Sequence, residues 1–338
     1  MAFQISDLEY KMAKLVTIFG GSGFIGRYIA RRMAKQGWRV RVAVRRPNEA
    51  LFVKTYGVVG QVEPILCNIR DDASVEEALN GADAAVNCVG ILIEDKKNTF
   101  AAVQQSGAER IGKLSKELGI KSLVHISAIG ADENSNSIYS STKAKGENAI
   151  FSNFPNAVVL RPSIVFGQED QFFNRFAKMA TMAPILPLIG ANTQFQPVFV
   201  DDVAKAAEAA LLGSVPKGIY ELGGPEIKDF RELMVVMLNI IKRRRLIINT
   251  PRLIAKIMAF GLSTLQMLTL GLFKNSIITS DQIENLGIDN IVSQKAKGFE
   301  TVGVDPLDMG SILPEYLWRY RPSGQYDAIK DSAKNLRP

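Results

Sequence analysis

The chain has 338 residues, of which 47% are hydrophobic and 22% are charged; these proportions exclude a disordered protein and favour a soluble globular one. A net charge of +7 favours an anionic cofactor, an acidic partner surface or anionic lipid. Because the positive charges are scattered and accompany no nucleic-acid-binding motif, we predict no nucleic-acid partner.

An apolar run near the N-terminus ends in closely spaced glycines. Leu15–Phe19 predicts a buried strand, and the apolar residues that follow recur at helical spacing, so the glycines lie at a strand-to-helix turn. Gly20 permits the tight turn, Gly23 lets the backbone approach phosphates, and Gly26 lets the helix pack close to the strand. The N–H groups of the helix then face the anion. The turn predicts a dinucleotide pyrophosphate site.

Strand and helix patterns alternate up to about residue 167. Further strands are predicted at Val40–Val44, Val62–Leu66, Ala84–Asn87, Leu123–Ser127 and Val158–Leu160, and further helices at Asp72–Asn80, Phe100–Leu118 and Tyr139–Phe151. The alternation predicts a doubly wound parallel α/β sheet of the Rossmann type, with ligands outside the carboxyl ends of the strands. We predict an N-terminal extension at 1–13, a cofactor-binding domain at 14–225 and a smaller, mostly helical portion at 226–338.

Side chains at the predicted strand ends indicate the dinucleotide. Arg45 and Arg46 follow the second strand, where an NAD site usually places an acid for the ribose 2′-hydroxyl. Two guanidiniums suit a 2′-phosphate and predict NADPH, and a solvated pair is the alternative. Asn68 and Ile69 suit the rim of an adenine pocket, and Gly90 lets the backbone lie near the cofactor.

Tyr139 and Lys143 share one face of a predicted helix. A lysine ammonium near the phenol lowers the tyrosine pKa, so that Tyr139 acts as general acid or base toward a carbonyl or alcohol, with Ser127 bonded to the same oxygen. A solvated helix face is the alternative. The position of the pair after a dinucleotide turn favours the catalytic interpretation.

Cys67, Cys88 and His125 each lie in an apolar strand pattern. We expect buried thiols in a reducing compartment, and a structural imidazole is favoured over a catalytic one. The spacing matches no metal site, so no metal is predicted.

These motifs resemble the short-chain dehydrogenase/reductase superfamily, through Gly20-x-x-Gly23-x-x-Gly26, Asn87-x-x-Gly90, Ser127 and Tyr139-x-x-x-Lys143. Later segments are similar to an extended, atypical branch that includes the NADPH-binding accessory subunits of respiratory complex I. Those segments are Leu160–Gly167, Glu169–Phe176, Gln196–Val203 and Glu221–Pro225.

The resemblance implies a tightly bound NADPH, outside the main electron path, in a peripheral subunit near the membrane. It assigns the pyrophosphate to Gly20, Gly21, Ser22, Gly23, Phe24, Ile25 and Gly26, the 2′-phosphate to Arg45 and Arg46, and the adenine to Asn68 and Ile69. The nicotinamide ribose is assigned to Tyr139 and Lys143, and the nicotinamide to Pro162, Ser163 and Ile164. Further cofactor-binding residues are Cys88, Val89, Gly90 and Ser127. Ala128 and Gln104 depart from the pattern of active members, in which a second hydroxyl and a supporting Asn are common.

The C-terminal portion contains a basic run and an apolar segment that are relevant to membrane binding. Ile227–Ile241 predicts a helix that begins near Asp229, followed by the basic run Lys242–Arg245. Leu253–Phe273 is mostly apolar and contains Lys256 as its one charged residue. The segment is compatible with a membrane span, with core packing or with an interfacial or partner-binding helix. The aromatic and basic residues at 318–322 pack on a neighbour or form an exposed terminus.

Three functions compete. The first is an NADPH-holding subunit of bacterial complex I, peripheral on the cytoplasmic face of the inner membrane, since no signal-peptide or transit-peptide pattern is present. Its partners are other complex I subunits and a membrane surface reached through 242–273. The second is a free reductase or epimerase acting on a carbonyl or sugar, and the third is a redox-sensing regulator.

Overall fold

Seven parallel strands form the central sheet of the computed structural model, which describes residues 13–251 and 280–326. They are β1 (Leu15–Phe19), β2 (Arg39–Val44), β3 (Val62–Leu66), β4 (Ala84–Asn87), β5 (Ser122–Ile126), β6 (Val158–Pro162) and β11 (Gly218–Leu222). Their order across the sheet is β3-β2-β1-β4-β5-β6-β11. The order reverses at β1 and β4, which opens a crevice at their carboxyl ends. The predicted doubly wound parallel sheet is confirmed.

The helices of the described residues are α1 (Phe24–Lys35), α2 (Asp72–Leu79), α3 (Ser106–Glu117), α4 (Ile138–Asn153), α5 (Phe173–Met182), α6 (Val200–Leu211), α7 (Phe230–Ile240), α8 (Ser280–Asn285), α9 (Phe299–Val302) and α10 (Met309–Leu317). Helices α1, α2, α3, α4 and α6 cover the two faces of this sheet. A π-helical turn (Ala101–Gln105) precedes α3, and 3₁₀ turns lie at Pro47–Tyr56, Trp318–Tyr320 and Gly324–Tyr326. One apolar core lies between the sheet and α1 and α6, and a second lies between the sheet and α2, α3 and α4.

Strand β1 lies in the interior of the sheet. All five of its residues are buried, because it pairs with β2 on one side and β4 on the other. The buried Thr17 hydroxyl donates to the Ala78 carbonyl oxygen at 2.7 Å, which satisfies the one polar side chain of the strand. Ile29 and Met33 of α1 are fully buried, as their helical spacing predicts.

A smaller lobe has its own core, formed by α5, α7 and α10. Short strands accompany it: β7 (Val165–Phe166), β8 (Ile185–Leu188), β9 (Gln194–Phe195), β10 (Val198–Phe199), β12 (Lys228–Asp229) and β13 (Leu246–Asn249). Phe172 and Phe230 stack in this core with ring centroids 5.5 Å apart. Asp229 and Glu232 form a capping box at the start of α7, so the predicted helix start is confirmed.

The basic run after α7 belongs in part to the lobe. Arg243 and Arg245 donate to the carbonyl oxygens of Tyr320 and Ala180, whereas Arg244 is exposed. Arg321 donates to the Ile240 carbonyl, so the 318–322 run packs on its own chain. The predicted apolar helix at 253–273 lies outside the described residues. No helix in 13–251 or 280–326 has the length and apolar character to cross a bilayer.

Candidate functional site

The glycine turn lies between β1 and α1 at the reversal point of the sheet. Gly20 has a φ of +73°, a left-handed conformation that favours glycine. A Cβ on Gly26 would lie 2.5 Å from the Gly20 oxygen, so the helix and turn approach too closely for any side chain. Gly23 is the N-cap of α1 and provides no side-chain cap. The first N–H groups of α1 are therefore left for an anion in the crevice.

The predicted adenine end follows β2 and β3. Arg45 and Arg46 are both exposed, and Arg46 pairs with Glu49 at 3.0 Å in an exposed ion pair. Such a pair contributes about 0–1 kcal/mol, so its guanidinium is easily transferred to a phosphate. Asn68 Oδ1 accepts from the Arg70 N–H at 3.2 Å, and the buried Ile69 packs against α3 at Gly107.

The loop after β4 adjoins the glycine turn. A Cβ on Gly20 would lie 3.3 Å from both the Cys88 carbonyl carbon and Val89 Cγ2. Burial raises the pKa of the Cys88 thiol to about 12, so this cysteine is not a nucleophile near neutral pH. Gly90 is exposed, and a Cβ there would lie 3.5 Å from Lys143 Nζ. The predicted loop residues therefore meet both the glycine turn and α4.

His125 lies in β5 beneath this loop. Its Nδ1 atom is 3.1 Å from the side-chain amide of Asn87, and its Nε2 atom has no partner among the described residues. Burial, and next the charge of Lys143, lower the His125 pKa to about 3, so the imidazole is neutral. These features fit a structural histidine.

The residues predicted to be catalytic, Ser127, Tyr139 and Lys143, lie on α4 and just after the carboxyl end of β5. Lys143 Nζ donates to the Ile126 carbonyl oxygen at 3.1 Å, next to Ser127. Ser127 is buried, and its Oγ has no hydrogen-bond partner within the described chain. Tyr139 packs edge-on against Phe100 with centroids 6.0 Å apart. The structure thus brings α4 and the end of β5 together, as the sequence predicts.

The expectation that Lys143 lowers the Tyr139 pKa is wrong, because the surroundings of this phenol raise its pKa. Burial, and next the carboxylate of Asp281, raise the Tyr139 pKa to about 12. The ammonium that would oppose this shift is bonded to the Ile126 carbonyl. Burial also lowers the Lys143 pKa to about 8. The phenol is therefore a weaker acid than an ordinary tyrosine.

Gln104 connects two parts of the site. Its Nε2 donates to the Ile91 carbonyl at 2.9 Å, and its Oε1 accepts from the Thr142 hydroxyl at 2.9 Å. It ties the loop after β4 to α4, one residue before Lys143. Although Gln104 stands where active members usually have Asn, its side chain holds the loop after β4 and α4 together.

Several site neighbours were not predicted. Glu147, one turn beyond Lys143, is 2% exposed and forms a two-pronged ion pair with Arg161. Glu147 follows Lys143 by four residues, so the sequence could have placed both side chains on the same face of the helix. Asp281 accepts a hydrogen bond from the Ser137 hydroxyl at the start of α4. The two residues are 144 positions apart, so no local sequence pattern predicts this contact. Among residues 13–251 and 280–326, no group of His, Cys, Asp or Glu side chains is placed to hold a metal.

These features define a nicotinamide dinucleotide site of the extended short-chain dehydrogenase/reductase type. The uncapped α1 N-terminus, the glycine cradle and the unpartnered Ser127 hydroxyl fit such a cofactor. The chain belongs to the NAD dependent epimerase/dehydratase family, whose family model matches residues 16–223.

Curated relatives extend the similarity beyond this family model. The chain is 31% identical to the mitochondrial NADH-ubiquinone oxidoreductase 40 kDa subunit of Neurospora crassa, covering 95% of this chain and 83% of that protein. It is 33% identical to the mitochondrial NADH dehydrogenase [ubiquinone] 1 alpha subcomplex subunit 9 of Arabidopsis thaliana, covering 92% and 79%.

A solved structure shows the same fold at lower identity. The UDP-glucose 4-epimerase of Thermus thermophilus, in complex with NAD, has a TM-score of 0.58 and 21% identity over 70% of this chain and 86% of that chain.

Proposed function

We propose that this chain is an accessory subunit of respiratory complex I that holds NADPH tightly in a structural or regulatory role. The observation that carries the proposal is the similarity to two complex I subunits over more than nine tenths of the chain. The proposed partners are the other subunits of complex I. The proposed location is the peripheral arm of that complex, at the cytoplasmic face of a bacterial inner membrane.

The choice of NADPH rests on the end of β2. Arg45 and Arg46 are exposed there, and the nearby acid Glu49 is already paired with Arg46. A 2′-phosphate complements this pair of cations, whereas the 2′-hydroxyl of NAD has no charge to match them. The glycine turn and α1 N-terminus bind the pyrophosphate shared by both dinucleotides.

Retention rather than turnover is supported by the nicotinamide end. When bound, NADPH supplies a hydride donor, and a reductase then needs an acid to protonate the product oxygen. Tyr139 has a pKa near 12, and Lys143 is engaged with the Ile126 carbonyl. Ala128 adds no second hydroxyl beside Ser127. This arrangement orients a ribose better than it delivers a proton.

The proposed membrane contact is supported by the parallel pair of β8 and β13. Ile185 of β8 lies opposite Leu246 of β13, and both side chains are exposed, by 42% and 62%. Ile248 is also exposed, and the exposed Arg244 precedes this strand. An apolar patch next to a cation complements the interface of an anionic membrane.

Purification from native membranes tests the proposal. After mild solubilisation, we expect the chain to comigrate with NADH dehydrogenase activity and the extracted nucleotide to be NADPH. A chain that migrates alone, away from this activity, would contradict the subunit role. Extraction of NAD in place of NADPH would contradict the cofactor assignment alone.

A free reductase or epimerase is the second candidate, because Lys143 bonds to the Ile126 carbonyl next to Ser127, and Tyr139 lies one helical turn before Lys143 on α4. In that case the purified chain oxidises NADPH with some carbonyl substrate, and Tyr139→Phe abolishes the reaction. Absence of turnover across a broad carbonyl panel favours the structural subunit.

A further inference from the structure

Residues 281–297 run along the carboxyl edge of the main sheet, and we call this segment the strap. At one end, Asp281 accepts from the Ser137 hydroxyl and the Ile138 N–H at the start of α4, at 3.0 and 2.6 Å. At the other end, Glu221 of β11 accepts from the Ser293 N–H at 2.8 Å and donates its own N–H to the Lys297 carbonyl. The strap therefore spans the β5, β6 and β11 side of the crevice.

Asn290, near the middle of the strap, joins two loops of the site. Its Nδ2 lies 3.4 Å from the Ile129 carbonyl, in the loop after β5. The buried Ser163 hydroxyl, in the loop after β6, lies 2.7 Å from Asn290 Oδ1 and 2.8 Å from its carbonyl oxygen. The first loop contains Ser127, and the second directly follows Pro162, the last residue of β6; both residues are predicted to bind the nicotinamide half of the cofactor.

The backbone of Asn290 is itself held in place. Its N–H donates to the Gln194 carbonyl at 2.8 Å, and its carbonyl accepts from the Gln196 N–H at 3.1 Å. Gln196 Oε1 also accepts from the Val292 N–H at 2.9 Å. Because the strap is anchored on both sides of Asn290, its side chain bridges the loops from a fixed position.

We propose that Asn290 is a positioning residue for the nicotinamide half of the bound dinucleotide, acting through Ile129 and Ser163. This inference rests on the proposed function, since it requires NADPH in the crevice. The contacts named above lie beside β5, β6 and β11, whereas Arg45 and Asn68 follow β2 and β3 on the opposite side of the reversal point. Asn290 therefore orders the nicotinamide end without acting on the adenine end.

The two ends can be separated with a nucleotide fragment. The compound 2′,5′-ADP carries the adenine and 2′-phosphate but has no nicotinamide, so it reports only on the adenine end. We expect Asn290→Ala to weaken NADPH binding about tenfold, which corresponds to about 1.4 kcal/mol, and to leave 2′,5′-ADP binding unchanged. A role confined to overall stability would weaken both ligands alike.

The experiment measures both dissociation constants by titration calorimetry on the full-length chain. Gln294→Ala, at an exposed strap position, is the matched control and should bind as wild type. Ser163→Ala removes the other side of the bridge and should weaken NADPH binding in the same direction. The double variant should lose less affinity than the sum of the two single losses, because the contact between the two side chains is shared by both changes.

Two results overturn the inference alone: a wild-type affinity for NADPH in Asn290→Ala, or an equal loss for NADPH and 2′,5′-ADP. A wild-type chain that binds neither nucleotide overturns the proposed function, and the inference with it. Should Asn290→Ala fail to fold in a thermal unfolding scan, the comparison of the two ligands in Ser163→Ala decides the question.

Discussion

The Lys143 ammonium is held inside the protein by the carbonyl oxygen of Ile126, at 3.1 Å. Lys143 is 5% exposed, and burial lowers its pKa to about 8 from the ordinary value of 10.5. The unfolded chain keeps this proton up to about pH 10.5, so between the two values the unfolded state binds more protons than the folded state. The free energy of unfolding therefore rises with pH in this window, and below pH 8 this contribution is constant.

We expect Lys143→Met to remove this rise, because the substituted side chain does not titrate. Urea unfolding of the nucleotide-free chain at a series of alkaline pH values measures the slope. Lys145→Met, which changes an exposed lysine two residues away, is the control and should keep the wild-type slope. An unchanged slope in Lys143→Met would show that this ammonium is not desolvated.

The glycine turn gives two separable substitutions. Gly23 has a φ of −69°, which any residue adopts, and its Cβ would lie 3.0 Å from the Gly20 oxygen, a tighter contact than usual but a looser one than at Gly26. We expect Gly23→Val to abolish NADPH binding in calorimetry, because its branched side chain blocks the approach of phosphate, and to lower the melting temperature less than Gly26→Ala does. Because the proposed nucleotide anchors the subunit, this variant should also be lost from the complex. Stable assembly of Gly23→Val without NADPH contradicts the anchoring role.

Gly26→Ala should act on folding. Its Cβ would lie 2.5 Å from the Gly20 oxygen and 2.7 Å from Gly21 Cα, both backbone atoms that move only with the turn. Overpacking of this kind costs about 1–3 kcal/mol, measurable by urea unfolding. Gly90→Ala is the control, because its Cβ would make an ordinary 3.5 Å contact with Lys143 Nζ. Equal stabilities of the two variants would contradict the close packing at Gly26.

Arg45 and Arg46 should determine which dinucleotide binds. We expect the double change Arg45→Ala and Arg46→Ala to weaken NADPH binding more than tenfold, since hydrogen bonds to charged groups are each worth about 1.5–3 kcal/mol. NADH binding should change little. Arg39→Ala, an exposed arginine at the opposite end of β2, is the control in the same titration. An equal loss of affinity for NADH and NADPH would contradict the proposal that Arg45 and Arg46 bind the 2′-phosphate.

The Glu147–Arg161 pair should be costly to break on one side. Glu147 is 2% exposed and lies 2.6 Å from Arg161, whereas both partners of the Arg46–Glu49 pair are exposed. We expect Arg161→Met to destabilise the chain by about 3–5 kcal/mol, because it leaves a buried carboxylate uncompensated. Arg46→Ala should cost less than about 1 kcal/mol. Adding Glu147→Gln to Arg161→Met should recover stability in urea unfolding; no recovery would contradict the buried-charge explanation.

The β8–β13 face should bind anionic membranes. We expect the purified chain to sediment with phosphatidylglycerol vesicles and much less with phosphatidylcholine vesicles. Arg244→Glu and Leu246→Asp should each reduce sedimentation, because the first removes a cation and the second an exposed apolar contact. Val59→Asp changes an exposed apolar residue in the turn between the 3₁₀ segment and β3, and should bind as wild type. If all three variants sediment with phosphatidylglycerol vesicles as the wild type does, the β8–β13 face is not the membrane contact.

Local sequence patterns predicted much of the secondary structure and the fold class of this protein. The run Leu15–Phe19, the glycines after it and the helical spacing that follows specify a strand, a turn and a helix within twenty residues or so, because strand and helix periodicities are local properties. The same holds for Tyr139 and Lys143, which lie one helical turn apart, and for the cap at Asp229. The doubly wound class follows from the alternation, whereas α6 and β11 were not predicted.

Only the tertiary structure decided how these parts are used. The phenol of Tyr139 is made less acidic by burial and by Asp281, which the chain places 142 positions later, and Ser163 meets Asn290 across 127 positions. Burial and long-range contacts arise when distant segments pack together, so no spacing within one segment encodes them. Local sequence patterns predicted a glycine turn for a dinucleotide and its candidate partners. Packing desolvates Lys143, leaves the Ser127 hydroxyl without a partner among residues 13–251 and 280–326, and lays the strap along one side of the crevice.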